Sequence, residues 1–339
     1  MIASPVCNII ARAARKILSP VKRLLAKRIS PEATQPPNTT VRTEPVFSIA
    51  IYTGDSPFNF DSPKSIDNPV LTREHVTDVP AAFVADPFIV RTPSALYMFF
   101  EVMNRRTKKG EIAVAVSNDG MQWSYQQIVL AEPFHLSYPY VFRWGDDYFM
   151  TPESYESNSV RLYKASHFPT RWSFERDLLT GDDFVDPSVF RFNDRWWLFT
   201  DLARPPYYAG ILRLFSAENL LGPWAEHPKS PVIDGNPHIA RPAGRVLVAN
   251  DRVIRYTQDC CPVYGSQVRA FEITELTTKS YHEREVYKSP VLTAGGAGWN
   301  ESGMHHIDPQ PLGDGRWLAC VDGWCRVEVA NGTGASKLA

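Results

Sequence analysis

The chain has 339 residues, of which 44% are hydrophobic and 12% aromatic, and its formal net charge is −1 at pH 7. This composition is typical of a globular protein and excludes a largely disordered chain. The balanced charge leaves the whole molecule without the basic footprint of a nucleic-acid-binding protein, so we expect no nucleic-acid partner.

The first 30 residues depart from this balance. They contain seven basic residues and no acidic one, and apolar residues recur at helical spacing from Ile10 to Ile29. The pattern predicts a basic amphipathic helical arm that can lie on an anionic membrane surface, and the alternative is a solvated or partner-docked arm. Because Arg12, Arg15 and Lys16 interrupt any apolar run of signal-peptide length, we expect a cytoplasmic protein that the arm can hold at the membrane.

Residues 31–45 are rich in Pro, Thr and Asn and predict a linker. From Val46 to residue 328, short runs of β-branched and aromatic residues alternate with Gly, Asn, Asp and Pro turns. This alternation predicts an all-β domain with little helix. The last residues, 329–339, are expected to be a disordered tail.

A repeat organises this domain. Five related units of strand, tight turn and strand run through the chain, and they start at Asp86, Tyr138, Asp186, Arg241 and Asp308. Their spacing leaves room for two more strands after each unit, which predicts a five-bladed β-propeller with four-stranded blades. The isolated strand from Val46 to Thr53 is expected to complete blade 5 and close the ring.

The repeat also predicts a site. In an antiparallel hairpin the start of the first strand and the end of the second lie at one rim. The expected rim pairs are Asp86 with Glu101, Tyr138 with Glu153, Asp186 with Asp201, Arg241 with Asp259, and Asp308 with Asp322, and His306 or Asp308 is expected to line the axis. Such an axial pocket would gather carboxylates with raised pKa values, as glycoside hydrolysis requires, beside aromatic residues that could stack on a sugar, namely Tyr138, Tyr140, Trp144 and Trp299.

Structural roles are the alternative for the same residues. Asp-Pro at a strand start can be a turn device, and the second-strand acids could instead make hydrogen bonds between blades. His305 and His306 near Asp308 are more typical of a hydrogen-bonded group than of a metal site. Cys320 and Cys325 do not have zinc-knuckle spacing, so we expect no metal and no other cofactor.

Several segments, among them IYTGDSPF, VADPF, LYMFFE, LSYPYVF, ARPAG and VYGSQVR, resemble the N-terminal domain of plant glucosamine inositolphosphorylceramide transferase and its bacterial relatives. More distantly, the blades resemble five-bladed propeller glycosidases of the arabinanase, β-xylosidase and fructosidase type. The glycosidase resemblance implies a base at Asp86, but Tyr138 and Asp186 stand where those enzymes usually have Asp and Glu. In the plant protein a separate domain is expected to transfer the sugar, so transferase activity is not expected of this propeller.

Two functions follow as hypotheses. The first is a carbohydrate-active, glycoside-hydrolase-like propeller acting on a glycan or glycolipid, with Asp86 as base and Glu153 or Asp186 as acid. Its substrate-binding residues would be Glu101, Tyr138, Asp201, Arg241, Asp259, His306 and Asp308. The second is a non-catalytic glycan- or glycolipid-binding module that works beside a separate glycosyltransferase partner.

Overall fold

The computed structural model describes residues 42–202 and 210–329. Residues 45–325 form one compact unit. Its strands form five radially arranged antiparallel sheets, and the expected five-bladed β-propeller with four-stranded blades is confirmed. The expected arm (1–30), the linker up to residue 41 and the tail from residue 330 lie outside the described residues.

Blades 1 and 2 are regular four-stranded sheets built from consecutive strands. The strands of blade 1 are β3 (Ala81–Arg91), β4 (Leu96–Asn104), β5 (Lys109–Ser117) and β6 (Ser124–Leu130). Those of blade 2 are β7 (Ser137–Trp144), β8 (Asp147–Glu153), β9 (Ser159–His167) and β10 (Arg171–Thr180).

Blades 3 and 4 each have an outer edge formed by two short strands. Blade 3 contains β11 (Phe184–Phe192), β12 (Arg195–Leu202), β13 (Ile211–Ala217), β14 (Ala225–Glu226) and β15 (Ile233–Asp234). Blade 4 contains β16 (Leu247–Ala249), β17 (Arg252–Asp259), β18 (Gln267–Leu276), β19 (Tyr281–Glu285) and β20 (Leu292–Thr293).

Blade 5 joins the two ends of the domain. Its strand order is β2-β1-β22-β21, so the N-terminal strand β1 completes the sheet begun by the last hairpin, as expected. The strands are β1 (Arg42–Ser56), β2 (Asn59–Asp61), β21 (Gly303–Pro311) and β22 (Trp317–Val329). β1 begins at Arg42, four residues before the expected start of the domain.

Hydrophobic clusters fill the space between neighbouring blades. Phe88 and Phe99 of blade 1 pack with Tyr140 and Met150 of blade 2, and all four side chains are buried. Burying a side chain of this size contributes about 1.5–3 kcal/mol, which explains why each blade is stable only against its neighbours.

The innermost strand of blade 4 is unusually short, because the chain from residue 240 to 246 is irregular before β16 begins. Gly244 lies in this stretch with φ +128° and forms a parallel bridge to Ile307 of blade 5. A Cβ at Gly244 would stand 1.8 Å from the Ile307 carbonyl oxygen, so only glycine permits this approach.

The helical segments of the described residues are single 3₁₀ turns, Arg73–His75, Tyr155–Ser157 and Gly298–Asn300. Within the described part of the chain, no helix has the length and apolar character that a membrane crossing needs.

Candidate functional site

Three inner strands begin with the same backbone irregularity. Asp86, Tyr138 and Asp186 each lie in a β-bulge and adopt left-handed backbone angles, with φ of 54°, 46° and 49°. This conformation costs non-glycine residues about 1–3 kcal/mol, so the surrounding contacts must hold it in place. Strain repeated at equivalent positions of three blades marks this rim as the candidate site.

Each of these residues donates its backbone N–H to a carboxylate of the preceding blade. The N–H of Asp86 lies 2.9 Å from Asp322 Oδ2, that of Tyr138 lies 3.2 Å from Asp86 Oδ2, and that of Asp186 lies 3.2 Å from Glu153 Oε2. Asp322 belongs to blade 5, Asp86 to blade 1 and Glu153 to blade 2. The carboxylates of Asp322, Asp86 and Glu153 therefore link consecutive blades around the axis.

Arg241 is the cation at the centre of this rim. Its Nε donates to Asp186 Oδ2 at 2.6 Å, and its Nη2 donates to Glu153 Oε2 at 3.2 Å. Gln258 Nε2 donates to the same Asp186 oxygen at 3.1 Å. Arg241 thus joins blades 2, 3 and 4 through charge-assisted hydrogen bonds, which are about twice as strong as neutral ones.

A second cluster lies on the blade 5 side of the rim. His305 Nδ1 is 2.6 Å from Asp322 Oδ1, and His305 Nε2 is 3.9 Å from Asp86 Oδ1. The His305 ring stacks on Phe47 with a centroid distance of 4.7 Å. Burial lowers the pKa of His305, but Asp322 and Asp86 outweigh it and leave this pKa above its ordinary value.

These three residues are the group in the described part of the chain that could hold a cation. One ligand atom from each of Asp86, His305 and Asp322 lies within 4.8 Å of the others. The short contact between His305 Nδ1 and Asp322 already satisfies one donor and one acceptor of the group. The arrangement therefore fits the hydrogen-bonded pair that the sequence predicted for His305, although the partner is Asp322 and not Asp308.

Glu101 is the least engaged acid of the rim. Its side chain is buried, and its Oε1 makes no hydrogen bond. The closest polar group is His135 Nε2 at 3.5 Å, while His135 Nδ1 accepts a hydrogen bond from Gly110 N–H at 2.9 Å. Burial and the neighbouring acids raise the pKa of Glu101 well above its ordinary value, which favours the protonated form of this carboxyl.

Two more rim acids have raised pKa values. Burial raises the pKa of Asp86 to about 7, partly opposed by His305, and Asp322 raises it further. Burial raises the pKa of Asp186 to about 8, although Arg241 opposes the shift. Such perturbed carboxyl groups around an axis are typical of functional sites.

The structure brings five of the predicted residues together at this rim, namely Asp86, Glu101, Glu153, Asp186 and Arg241. Tyr138 shares the backbone position, but its side chain points into the core, where its hydroxyl donates to Gly244 O at 2.8 Å. His306 is also fully buried, with its Nδ1 3.6 Å from Asp86 Oδ1, and burial lowers its pKa to about 3. Neither ring offers a surface to a ligand.

Asp201 and Asp259 have other partners. Asp201 Oδ1 accepts the backbone N–H groups of Leu202 and Ile211 at 2.9 and 2.8 Å. Asp259 accepts hydrogen bonds from His238, Gln267 and Arg269. Arg241 lies opposite Gln258, whose N–H its carbonyl accepts, so Arg241 stands next to Asp259 at the strand end as Asp86 stands next to Glu101, but the side chains of Arg241 and Asp259 have different partners.

The expected pairing of Asp308 with Asp322 is wrong. Asp322 lies opposite His306, and Asp308 lies opposite Cys320, two residues further along the strand. The cause is the bulge of blade 5, which falls between Gly303 and His306 and precedes the Asp-Pro pair. Asp308 therefore lies below the rim, where Arg245 Nε donates to it at 2.6 Å and Ile89 N–H at 2.6 Å.

Sequence reasoning missed four contributors to the rim, namely Gln258, His135, Asp322 as a partner of His305, and Tyr264. Tyr264 lies 5.4 Å from the Arg241 guanidinium, measured to the ring centroid. Asp322 had a usable signal, because it ends the second strand of unit 5 as Glu101 and Glu153 end theirs. Tyr264 lies in a loop outside the repeat, and its only signal was its place in the segment VYGSQVR.

Fold and rim together define a class, a five-bladed β-propeller with an acidic axial site. The sequence model of the N-terminal domain of glucosamine inositolphosphorylceramide transferase 1 matches residues 40–324. The chain therefore belongs to this family, as its sequence motifs indicated.

Curated relatives agree with this assignment. Glucosamine inositolphosphorylceramide transferase 1 of Oryza sativa subsp. japonica is 34% identical over 296 residues, and that of Arabidopsis thaliana is 32% identical over 296 residues. The match covers 82% of this chain and 40% of the rice protein. The chain thus spans about two fifths of the length of the curated relatives it matches.

Solved structures share the fold at low sequence identity. A putative glycoside hydrolase from Parabacteroides distasonis superimposes with a TM-score of 0.56 at 8% identity, covering 78% of this chain and 97% of that one. The catalytic domain of the GH62 α-L-arabinofuranosidase of Coprinopsis cinerea gives 0.54 at 11% identity, covering 71% and 91%. At these identities the likeness shows the fold alone.

Proposed function

We propose that this propeller recognises a glycan, or the glycan headgroup of a sphingolipid, at the rim formed by Asp86, Glu101, Glu153, Asp186 and Arg241. The observation that carries the proposal is the convergence of four acids and one arginine at the axis, with two of the acids, Asp86 and Asp186, on backbone positions held in a strained conformation. Carboxylates and a guanidinium together offer the acceptors and donors that sugar hydroxyls need. The names of the curated relatives, which include inositolphosphorylceramide, support a sphingolipid headgroup as the ligand.

Recognition is favoured over hydrolysis because most of the expected catalytic acids are occupied. Asp186 Oδ2 accepts from both Arg241 and Gln258, and Glu153 Oε2 accepts from Arg241 and the Asp186 N–H. A general acid must carry a proton and release it to the substrate. An oxygen held by a guanidinium is poorly suited to that task, so the acid role expected of Glu153 loses support, whereas Asp186, with a pKa of about 8, can still carry a proton.

One observation favours hydrolysis as a second candidate. Glu101 is buried, has a pKa raised well above its ordinary value and has an unbonded Oε1, while Asp86 has a pKa of about 7 and is partly ionised at neutral pH. A protonated and an ionised carboxyl at one site are the pair that glycoside hydrolysis uses. In this version Asp86 is the base and Glu101 is the acid.

A glycan panel separates the two candidates. The wild-type chain would be titrated calorimetrically with arabinose, galactose, mannose and glucosamine glycosides and inositol phosphate, and tested for sedimentation with phosphatidylcholine vesicles containing inositolphosphorylceramide. Recognition predicts binding without release of sugar, and loss of binding in Arg241→Met. Absence of binding to every probe would reject the proposal.

Hydrolysis has its own control variants. Asp86→Asn and Glu101→Gln keep the shapes of the side chains but remove their proton chemistry. Sugar release by the wild type that both substitutions abolish would establish the second candidate, and release that survives Asp86→Asn would reject Asp86 as its base.

The basic arm completes the proposal. Residues 1–30 would hold the propeller at the cytoplasmic face of an anionic membrane, where a separate glycosyltransferase could use the glycolipid it recognises. Deletion of these residues should release the protein from phosphatidylserine vesicles and leave its affinity for soluble glycans unchanged. Retention on the vesicles after deletion would reject this role.

A further inference from the structure

Tyr264 is an accessible aromatic side chain at the rim. It lies in the loop between β17 and β18, and 45% of its surface is exposed. Its ring contacts both rim clusters, with the Arg241 guanidinium 5.4 Å from its centroid and the His305 ring 5.3 Å away at 85°. Tyr264 therefore spans the boundary between the Arg241 cluster of blade 4 and the His305 cluster of blade 5.

The aromatic residues that the sequence suggested as stacking surfaces are not available at this rim. Tyr138 and Tyr140 are 0% and 2% exposed. Trp144 is exposed, but it ends β7, at the opposite end of the blade, where its ring packs against Trp196. Trp299 packs on the hydrophobic cluster between blades 4 and 5.

The loop that carries Tyr264 is held by contacts with blade 5 and with β17. Towards blade 5, Gly265 adopts φ +68°, and its carbonyl accepts the Trp324 indole N–H at 3.1 Å. The backbone approaches blade 5 so closely that a Cβ at Gly303 would lie 2.1 Å from the Gly265 oxygen. Ser266 then returns the chain to β17 through its N–H, which donates to Asp259 O at 3.0 Å.

A fixed, half-exposed aromatic ring beside hydrogen-bonding acids is the geometry of a sugar-stacking surface. The apolar C–H face of a pyranose or furanose packs on a ring, while its hydroxyl groups reach neighbouring polar side chains. Because the ring is held before any ligand arrives, little conformational entropy is lost on binding.

We propose that Tyr264 is the stacking platform for the sugar ring at this rim, so that it selects ligands with an unhindered C–H face. The proposal rests on the glycan recognition proposed above. It assigns separate tasks to two neighbours, since Arg241 and the acids bind hydroxyl groups and Tyr264 binds the carbon face.

The test compares four chains in calorimetric titrations with the panel sugar that binds the wild type most tightly. Tyr264→Ala removes the ring and should weaken binding at least tenfold, whereas Tyr264→Phe keeps the ring and should remain within about threefold of the wild type. Tyr287→Ala is the matched control, because Tyr287 is a fully exposed tyrosine of the same blade and its loss should leave the affinity unchanged. Thermal unfolding of each chain shows whether the fold is intact.

The outcomes distinguish this inference from the function on which it rests. If the wild type binds no sugar of the panel, glycan recognition itself fails. If the wild type binds and Tyr264→Ala binds equally well, the platform is rejected while recognition stands. Tighter binding by Tyr264→Ala would also overturn it, because the ring would then cover the site and not support the ligand.

Discussion

Two arginine clusters lie on the axis of this propeller, and they differ in what surrounds the charge. Arg245 pairs with a single acid, Asp308, and its guanidinium lies 5.5 and 5.2 Å from the ring centroids of Phe88 and Tyr140. Arg241 pairs with two acids, and further carboxyl groups lie nearby. The first cluster is charge-balanced and enclosed by aromatic rings, whereas the second has more acids than cations.

The two clusters therefore differ in whether their charged groups keep hydrogen-bonding capacity for a ligand. A balanced buried pair has no capacity left for a ligand, because both Asp308 oxygens already accept hydrogen bonds. A cluster with surplus acid keeps groups whose protonation and partners can change when a ligand arrives. The Arg245 cluster is therefore a structural pair, whereas the Arg241 cluster, which also joins blades 2, 3 and 4, is the one at which we propose recognition.

The largest expected effect is on stability, from Arg245→Met. The substitution leaves the buried Asp308 carboxylate without its cation, which costs about 3–5 kcal/mol of unfolding free energy. Urea unfolding followed by tryptophan fluorescence measures this loss. Adding Asp308→Asn to the same chain removes the unpaired charge and should recover part of the stability. A loss below about 1 kcal/mol would show that the pair does not hold the blades together.

Arg241→Met should reduce glycan affinity more than it reduces stability, which is the reverse of the effect expected for Arg245→Met. We expect glycan affinity to fall at least tenfold, while unfolding free energy falls less than in Arg245→Met, because the pKa of about 8 leaves Asp186 largely neutral at pH 7, so that loss of its cation exposes little charge. Arg241→Lys is the informative control, since a lysine keeps the charge but cannot bond Asp186 and Glu153 with one planar group. Equal glycan affinities in the Arg241→Met and Arg245→Met chains would show that the two clusters do not differ in their contribution to glycan binding.

The excess of acidic groups around Arg241 should also make the stability of the fold depend on pH. The folded pKa values of about 7 for Asp86 and about 8 for Asp186 lie above the unfolded value of 3.8, so the folded state binds more protons between these limits. This contribution is fully present below pH 4 and is lost as the pH rises through 7 and 8. Asp86→Asn should make the decline between pH 5 and 8 shallower, as measured by urea unfolding. An unchanged slope would contradict the raised pKa of Asp86.

The smallest expected effect is that of Asp259→Asn. Its carboxylate faces His238, Gln267 and Arg269, outside the network around Arg241. Glycan affinity should therefore stay within about twofold of the wild type in the same calorimetric titration. A tenfold loss would mean that the site extends further into blade 4 than the Arg241 cluster.

The sequence was sufficient for the blade count and for the rim of blades 1 to 3. Each hairpin there repeats one pattern of turn and alternation, so the strand starts and strand ends could be matched by inspection. Blade 5 could not be matched in this way, because Asp308-Pro309 imitates the Asp-Pro start of blades 1 and 3. The bulge sets the register, and its position between Gly303 and His306 has no sequence signature of its own.

The sequence predicted that the site residues would lie at the rim, but it did not predict which hydrogen bonds they would make. The repeat brought Asp86, Glu153 and Asp186 to one rim, but their partners come from other blades. Which acid binds Arg241 and which stays unbonded depends on distances of a few tenths of an ångström between blades. The sequence pattern therefore predicts neither the unbonded Oε1 of Glu101 nor the position of Tyr264 at the rim.

The backbone links between blades bear on how such a site can diversify. At each bulge the main-chain N–H of residue 86, 138 or 186 makes the link, and a main-chain group is present whatever the side chain is. The side chains at these positions make further links that differ from blade to blade, since Asp86 Oδ2 accepts the Tyr138 N–H whereas the Tyr138 hydroxyl donates to Gly244 O. This explains how blade 2 can carry Tyr138 where blades 1 and 3 carry aspartate without loss of the architecture. The main-chain link is therefore compatible with side chains of different chemistry at the equivalent position of each blade.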